Sequence, residues 1–257
     1  MKKLILTIAL TSALFSCKKE TTNTNTSNTN NPSNSLVCVD NPNINFSSIG
    51  TPIGKFSDCI KDVDGNVYKT VSIGTQTWMA ENLKTSKYSD GTPIPNVKDS
   101  LVWSKLTTGA WCYYNNDEKN NAKYGKLYNW YSVSKTSNGN KNVCPAGWHV
   151  PSDNELTVLI DYLGGESIAG GKMKEIGKSS WIESNNTANN LSLFSFIPSG
   201  GRESNGEFNH LFYYGGFYMS TESDGEGLHS VFSYMEVWIG KDEDPKEGGL
   251  SIRCLKD

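Results

Sequence analysis

The rhythm of apolar and polar positions changes several times along the 257 residues. Leu4 to Phe15 is an apolar run broken only by Thr and Ser, and it follows the basic start Met1-Lys2-Lys3. It is too short to span a bilayer as a mature helix and has the build of a secretory signal over residues 1–16. The pattern then inverts. "KKETTNTNTSNTNNPSNS" has no large apolar side chain, so it cannot bury enough surface to offset its chain entropy. Residues 17–36 are therefore expected to form a disordered tether, followed by a lead-in segment over 37–61 and a single domain over 62–257.

Within that domain, "DVDGNVYKTVSIGTQTWMAENL" (Asp62 to Leu83) reads as strands joined by tight turns. Asp64-Gly65 is a hairpin-type dipeptide, Val67 to Ile73 alternates, and Gly74-Thr75-Gln76 marks a second turn. Residues 84–141 are irregular and turn-rich. Leu156, Leu159, Ile160 and Leu163 recur at helical spacing, with Ser152 or Asp153 placed to cap the N-terminus. Ser152 and Glu155 match a capping box, and Gly164-Gly165 mark the C-terminal end. "AGGKMKEIG" (Ala169 to Gly177) predicts a second short helix. "YYGGFYMSTES", "SVFSYMEVWIG" and "GGLSIRCLKD" predict the last strands. The pattern as a whole implies an α+β fold with small antiparallel sheets, two short helices and long loops.

Composition adds an address. The apolar run ends in Leu14-Phe15-Ser16-Cys17, which resembles the bacterial lipobox, so Cys17 is the expected lipidated N-terminus after cleavage. Lys18 at the second mature position is not the Asp that would argue for inner-membrane retention. An exported outer-membrane lipoprotein, possible at the cell surface, is the expectation. Removing Lys2 and Lys3 from 24 basic residues leaves 22 against 27 acidic, with no basic patch, which argues against a nucleic-acid partner. Besides Cys17 there are five cysteines, and in an exported protein an odd count leaves at least one thiol unpaired in the monomer. Cys38 with Cys59 and Cys144 with Cys254 are candidate disulfides, although spacing alone does not fix connectivity.

Catalytic constellations are thin. Cys144 and His149 in "CPAGWHVPSDNEL" are nucleophile and base types, but they lie five apart with a strand starting between them. On that reading Trp148 and Val150 face the core and His149 faces away. His149, His210 and His229 are too dispersed for a zinc site. Glu203 with Glu207, or Glu222 with Asp224, would be an acid–base pair for a carbohydrate-active hydrolase, the remote alternative. Nothing distinguishes them from surface acids, so no enzyme activity is expected. Asp62, Asp64 and Asn66 alternate like calcium ligands, but Gly65 comes too early for an EF-hand loop and turn chemistry is the better reading. The aromatics between Trp111 and Tyr131 are read as core, with a sugar-stacking platform as the alternative.

The blocks "DGNVYKTVSIGTQTWMAENLKTSKYSDGTPIP", "YGKLYNWYSV", "CPAGWHVPSDNEL", "YLGG…AGGKMKE", "PSGGR", "STE" and "RCLKD" occur in order. Together they resemble the Fibrobacter succinogenes major paralogous domain, over roughly Asp62 to Asp257. Where that family usually has a tryptophan-rich "WSSTE"-like segment, this chain has "YMSTESDGEG". The family is similar in layout to the C-type-lectin-like and formylglycine-generating-enzyme folds. That likeness implies a first core strand at "GWHVPS", a last strand at "LSIRC" antiparallel to it, and Cys144 close to Cys254. The single terminal cysteine offers no counterpart to the paired-thiol copper site of the formylglycine-generating enzymes. The likeness also implies ligand-binding loops before the last strands, here "GGRESNGEFNH", "STESDGEGLHS" and "GKDEDPKEGG". Arg202, Glu203, Glu222, Asp224 and Asp242 are the candidate contacts. Glu222, Asp224, Glu226, Asp242, Glu243 and Asp244 would supply carboxylates if calcium binds, and a solvated acidic surface is the alternative. The expected function is a lipid-anchored binding or adhesion module for a glycan or an envelope protein. The alternative is a structural or accessory lipoprotein without a free ligand.

Overall fold

The computed structural model describes residues 46–177, 179–182 and 185–257. The expected signal, Cys17, the expected tether and the expected Cys38–Cys59 pairing, through Cys38, lie outside these residues. Among the described residues no helix is long and apolar enough to cross a membrane.

The architecture is mixed α+β, with several small antiparallel sheets and few short helices. The first half contributes β1 (Lys55–Phe56), β2 (Ile60–Lys61), β3 (Val67–Tyr68), β4 (Thr70–Ile73), β5 (Gln76–Met79), β6 (Trp111–Cys112), β7 (Leu127–Asn129) and β8 (Trp148–His149). The helices are α1 (Ser100–Trp103), α2 (Asn121–Tyr124), α3 (Asp153–Tyr162) and α4 (Glu166–Met173). The second half adds β9 (Gly201–Arg202), β10 (Phe208–Asn209), β11 (Tyr214–Gly215), β12 (Tyr218–Ser223), β13 (Glu226–Ser233), β14 (Gly240–Asp244), β15 (Gly249–Leu250) and β16 (Leu255–Lys256).

One sheet runs β1-β4-β5-β16-β8 and a second runs β10-β9-β15-β7-β6. In the third, β13 is the central strand, pairing with β11, β12 and β14. The expected turns are present: Asp64-Gly65 joins β2 to β3, and Ile73 faces Gln76 across Gly74-Thr75. From the end of the lead-in segment, Lys55–Phe56 pairs with Val71–Ser72 and Ile60–Lys61 with Val67–Tyr68.

Helix α3 follows its sequence signals closely. Ser152 and Glu155 form a reciprocal capping box, Leu156, Leu159 and Ile160 are buried, and Gly164 and Gly165 take left-handed backbone after it. Helix α4 starts three residues earlier than the pattern suggests and ends at Met173. Its paired glycines do not terminate it; they admit other chain segments. A Cβ at Gly170 would sit 2.2 Å from the Trp238 carbonyl oxygen, and one at Gly171 2.5 Å from that of Thr187.

The C-terminal strands depart from expectation in three places. The run "SVFSYMEVWIG" is not one strand: β13 ends at Ser233, and Tyr234–Ile239 leaves the sheet to cross α4, where Gly171 and Ile239 donate to the Val237 and Glu166 carbonyls respectively. The partner of Trp148–His149 is Leu255–Lys256, not "LSIRC", because Gly249–Leu250 is recruited into the second sheet. The three expected ligand loops are largely hairpin strands. Gly201–Arg202 pairs with Phe208–Asn209, Ser220–Ser223 belongs to β12, and acidic Gly240–Asp244 pairs along β13. Charged residues on a solvent-facing edge strand look like a loop in sequence because such edges are kept polar.

The core has two main parts. Val71, Trp78, Leu156, Leu159, Ile160, Phe194, Phe196, Phe217 and Phe232 form one. The other joins Tyr68, Met79, Tyr128, Trp130 and Trp148 around Cys144–Cys254. The aromatic run from Trp111 onwards is core, as expected: Trp111, Tyr114, Tyr124, Tyr128 and Trp130 are all buried.

Candidate functional site

The stretch most like a nucleophile–base pair is framework. Cys144 is bonded to Cys254 across a Cα–Cα distance of 5.9 Å, so its sulfur is not a free thiol. Trp148 and Val150 are buried, and His149 points the other way. His149 Nδ1 lies 2.6 Å from Asp257 Oδ1, and Nε2 lies 2.9 Å from Glu155 Oε1. The imidazole thereby ties the start of α3 to the C-terminal strand. Gly147 takes the left-handed turn that leads into β8, with Trp148 N–H donating to the Pro145 carbonyl.

The candidate loop residues do not converge. Arg202 is buried at 2% exposure, with Nε donating to the Gly206 carbonyl at 2.9 Å. Nη1 and Nη2 donate to the Val97 and Lys98 carbonyls at 2.7 and 2.8 Å, and the guanidinium lies over Trp103 and Phe208. It clamps the Gly206 turn of its own hairpin to the Val97–Lys98 segment, with its guanidinium buried. Glu203 accepts from Asn209 on the same hairpin. Glu222 pairs with Lys246 at 2.8 Å, Asp224 sits exposed in the β12–β13 turn, and Asp242 accepts from the Glu243 backbone N–H. Arg202 and Glu203 belong to the β9–β10 hairpin of the second sheet, and Glu222, Asp224 and Asp242 to the strands and turn of the third. Asp62 and Asp64 likewise spend their carboxylates on Asn66, Tyr68, Ser86 and Lys87, which is turn chemistry. Among the described residues no group of three or more His, Cys, Asp or Glu side chains is placed to hold a metal.

What does converge lies elsewhere. A cavity of about 350 Å³ opens between the segment after β5, the segment after α4, the 190–197 loop and Arg253. Its polar lining includes Lys69, Glu81, Asn82, Lys123, Glu175 and Arg253, with Phe56, Ile176 and Ile197 as apolar wall. These residues come from blocks far apart in sequence: "WMAEN", "GGKMKE", "LFSFIP" and "RCLKD".

Arg253 forms the floor. It is 1% exposed and packs its guanidinium over Phe194 and Phe196, at 4.6 and 5.3 Å from the ring centroids. Nε donates to Asn82 Oδ1 at 2.9 Å, Nη1 to the Phe194 carbonyl, and Nη2 to the Ser195 carbonyl at 3.0 Å. Burial pushes its pKa down to about 9, against the pull of Glu81 and Glu175, so it stays cationic at neutral pH. None of the ion pairs among the described residues includes it.

The neighbours are held in place. Asn82 Nδ2 donates to the Tyr124 carbonyl at 2.9 Å and to Ser251 Oγ at 3.1 Å, which orients its oxygen towards Arg253. Asn190 and Ser195 exchange two hydrogen bonds of 2.9 Å, closing the loop in which Asn190, Leu193 and Ser195 all have positive φ. Glu81 Oε2 accepts the Lys69 backbone N–H at 2.8 Å, and Oε1 lies 3.7 Å from Lys84 Nζ. Glu175 accepts the Ser180 hydroxyl. Charged and amide groups beside an apolar wall are the usual composition of small-molecule sites.

Sequence reasoning missed this cavity because its residues are scattered and polar in unremarkable ways. One signal was present: Arg253 stands between Ile252 and Cys254 in an apolar terminal run, a charge where core is expected.

No curated protein and no solved structure gives a significant match to the chain. Residues 71–256 match the model of the Fibrobacter succinogenes major domain, well over half of the chain. The block-by-block resemblance and this match agree, and the chain belongs to the Fibrobacter succinogenes major domain family.

Proposed function

We propose that this protein is an exported, non-catalytic binding module, lipid-anchored at Cys17 in the outer membrane and held off it by the 17–36 tether. Its domain uses a C-type-lectin-like layout, and the Arg253 cavity binds a polar group of a glycan. The observation that carries the reading is the concave site itself: a buried guanidinium, two carboxylates, a fixed side-chain amide and an apolar wall facing one volume. The antiparallel pairing of the C-terminal strand with Trp148–His149, just before α3, supports the lectin-like layout. The disulfide at Cys144 supports a non-catalytic role for "CPAGWHVPSDNEL".

A glycan array probed with the full-length protein in detergent, beside an Ile197→Trp variant that fills the cavity, tests the reading. Binding by the parent protein that the variant loses is the expected result. A blank array for both proteins would overturn it. Mass spectrometry of the mature N-terminus tests the anchor: a diacylglyceryl-modified Cys17 is expected, and a free or absent Cys17 would contradict it.

A second reading, an accessory lipoprotein that packs into an envelope assembly, draws on the exposed aromatic and apolar residues Phe212, Tyr213, Tyr214, Met235 and Trp238. Tyr213 meets Tyr234 edge-on with centroids 5.6 Å apart, so part of this surface is contiguous. Co-purification of an envelope protein together with blank arrays would favour that reading.

A further inference from the structure

We infer that the sugar taken into the cavity is one unit of a longer chain, and that Phe212, Tyr213 and Tyr214 form a stacking platform for the units beside it. This rests on the glycan-binding reading and extends it from a single unit to an oligosaccharide of equatorially substituted pyranoses. The three rings follow one another in "NHLFYYGG" and are 42, 40 and 40% exposed. They border the cavity. The Ile182 N–H donates to the Phe212 carbonyl at 2.9 Å, and the Phe212 N–H donates to the Pro198 carbonyl at 3.3 Å. The Phe212 ring also meets that of Tyr124, with centroids 6.3 Å apart. Lys123, Ser180 and Ile197, from the same three segments, line the cavity, so Phe212 is attached to three of its walls.

The exposed rings are braced. Phe212 meets Tyr124 at 71° between planes, Tyr213 meets Tyr234 at 89°, and Tyr214 meets His210 at 71°. A ring held in this way offers contact area with little side-chain entropy left to lose. The backbone is also held against its preference: His210 and Phe212 have φ of 64° and 74°, left-handed values that bulky side chains seldom adopt. Glycine would take that turn without strain, and a phenylalanine this exposed gives up much of its burial, so folding alone does not account for Phe212. A pyranose with equatorial substituents turns a C–H face to an aromatic ring and directs its hydroxyls sideways to polar groups. A volume of about 350 Å³ is at the small end for ligand sites and accommodates about one sugar unit. A longer chain then has to leave over the rim, where these rings stand. A sugar chain is favoured over a protein partner because the platform adjoins a concavity lined by charged and amide groups, not a further apolar face.

Calorimetric titration of the full-length protein in detergent tests the inference. The probes are glucose, N-acetylglucosamine and the β-1,4-linked di-, tri- and tetramers of each, with amide-resolved spectra following the weaker monomers. At least one series should gain about tenfold or more in affinity from monomer to trimer. Phe212→Gly and Tyr213→Ser should each cut that gain while leaving monomer affinity unchanged, and Ile197→Trp should abolish binding at every length. Tyr213→Ser serves alone if Phe212→Gly does not fold. Equal affinity for monomer and tetramer, or a gain that the variants keep, would overturn the inference, while loss of monomer binding in Ile197→Trp would leave the cavity reading standing. Binding of another glycan on the array, with both series blank, would overturn it too. Loss of a co-purifying envelope protein from the variants, with the gain retained, would assign the rings to that protein. A blank array with no binding in either series would overturn both readings.

Discussion

Arg253 shows how one residue can carry a functional argument. A buried charge is costly unless it is paired, and this one is held by carbonyl dipoles, an amide oxygen and two aromatic faces, not by a carboxylate. Arg202 has the same burial but makes its bonds to the Gly206, Val97 and Lys98 carbonyls, and it does not line the cavity. Residue type alone does not separate the two; their surroundings do. His229 is a third buried cation candidate. Its Nε2 lies 3.1 Å from Asp244 Oδ2, close enough for charge pairing although poorly aligned as a hydrogen bond, while Nδ1 contacts the Ser230 carbonyl at 3.0 Å. Burial pulls its pKa down, but Asp244, the Ser230 carbonyl and Asp242 outweigh that and the net shift is upward from 6.5. A raised folded-state pKa means that the pair's stabilisation is complete below the unfolded value of about 6.5 and is lost as pH rises through the folded value. Thermal melts from about pH 6 to about pH 8.5 should therefore show a decline in stability that Asp244→Asn flattens. A decline of equal size in the variant would assign it to other groups.

At the scale of elements, α3 was readable to its caps because its signals are local. Ser152, Glu155 and the Leu156–Leu159–Ile160–Leu163 stripe act within a few residues of one another. Ser152→Ala removes a hydroxyl that bonds both the Glu155 N–H and Glu155 Oε2. It should cost about 1 kcal/mol, or about 2–4 °C in melting temperature for a domain of this size, with the fold retained. A melting temperature unchanged from the parent would show that Glu155, held also by His149, suffices as the cap. The hairpins at 62–68 and 70–79 were legible for the same local reason. The last strands were not, because their boundaries are set by distant partners. Tyr234–Ile239 is rich in β-formers, yet it leaves the sheet since α4 presents Gly170 and Gly171 as a seat for its backbone. Gly240–Asp244 reads as an acidic loop, yet β13 offers it a full set of pairings. A two-residue strand such as Leu255–Lys256 leaves almost no periodicity to read at all.

Across the whole molecule, the framework and the candidate site share residues. Cys254 is bonded to Cys144, its neighbour Arg253 floors the cavity, and Leu255 pairs with both His149 and Trp78. The disulfide spans a sequence separation of 110 residues. On chain-entropy grounds a loop of that length is worth about 4–5 kcal/mol, so Cys144→Ala/Cys254→Ala should lower stability substantially and loosen the cavity floor. Denaturant titration checks this, and a loss under about 1 kcal/mol would show that the strand pairing holds the terminus unaided. The α+β class and the outward face of His149 follow from residues that could be quoted from the sequence, and the family likeness implied the closeness of Cys144 and Cys254. The cavity does not, since it exists only once four separated blocks are folded against one another. The central claim is that ligand recognition lies there and not at the acidic hairpins first suggested by Glu222, Asp224 and Asp242. The most direct measurement is an amide-resolved NMR titration of the protein with its best array glycan. Shifts concentrated at Asn82, Ser180, Ser195 and Arg253 are predicted. Shifts concentrated at Glu222, Asp224 and Asp242, with the cavity amides unmoved, would contradict the account.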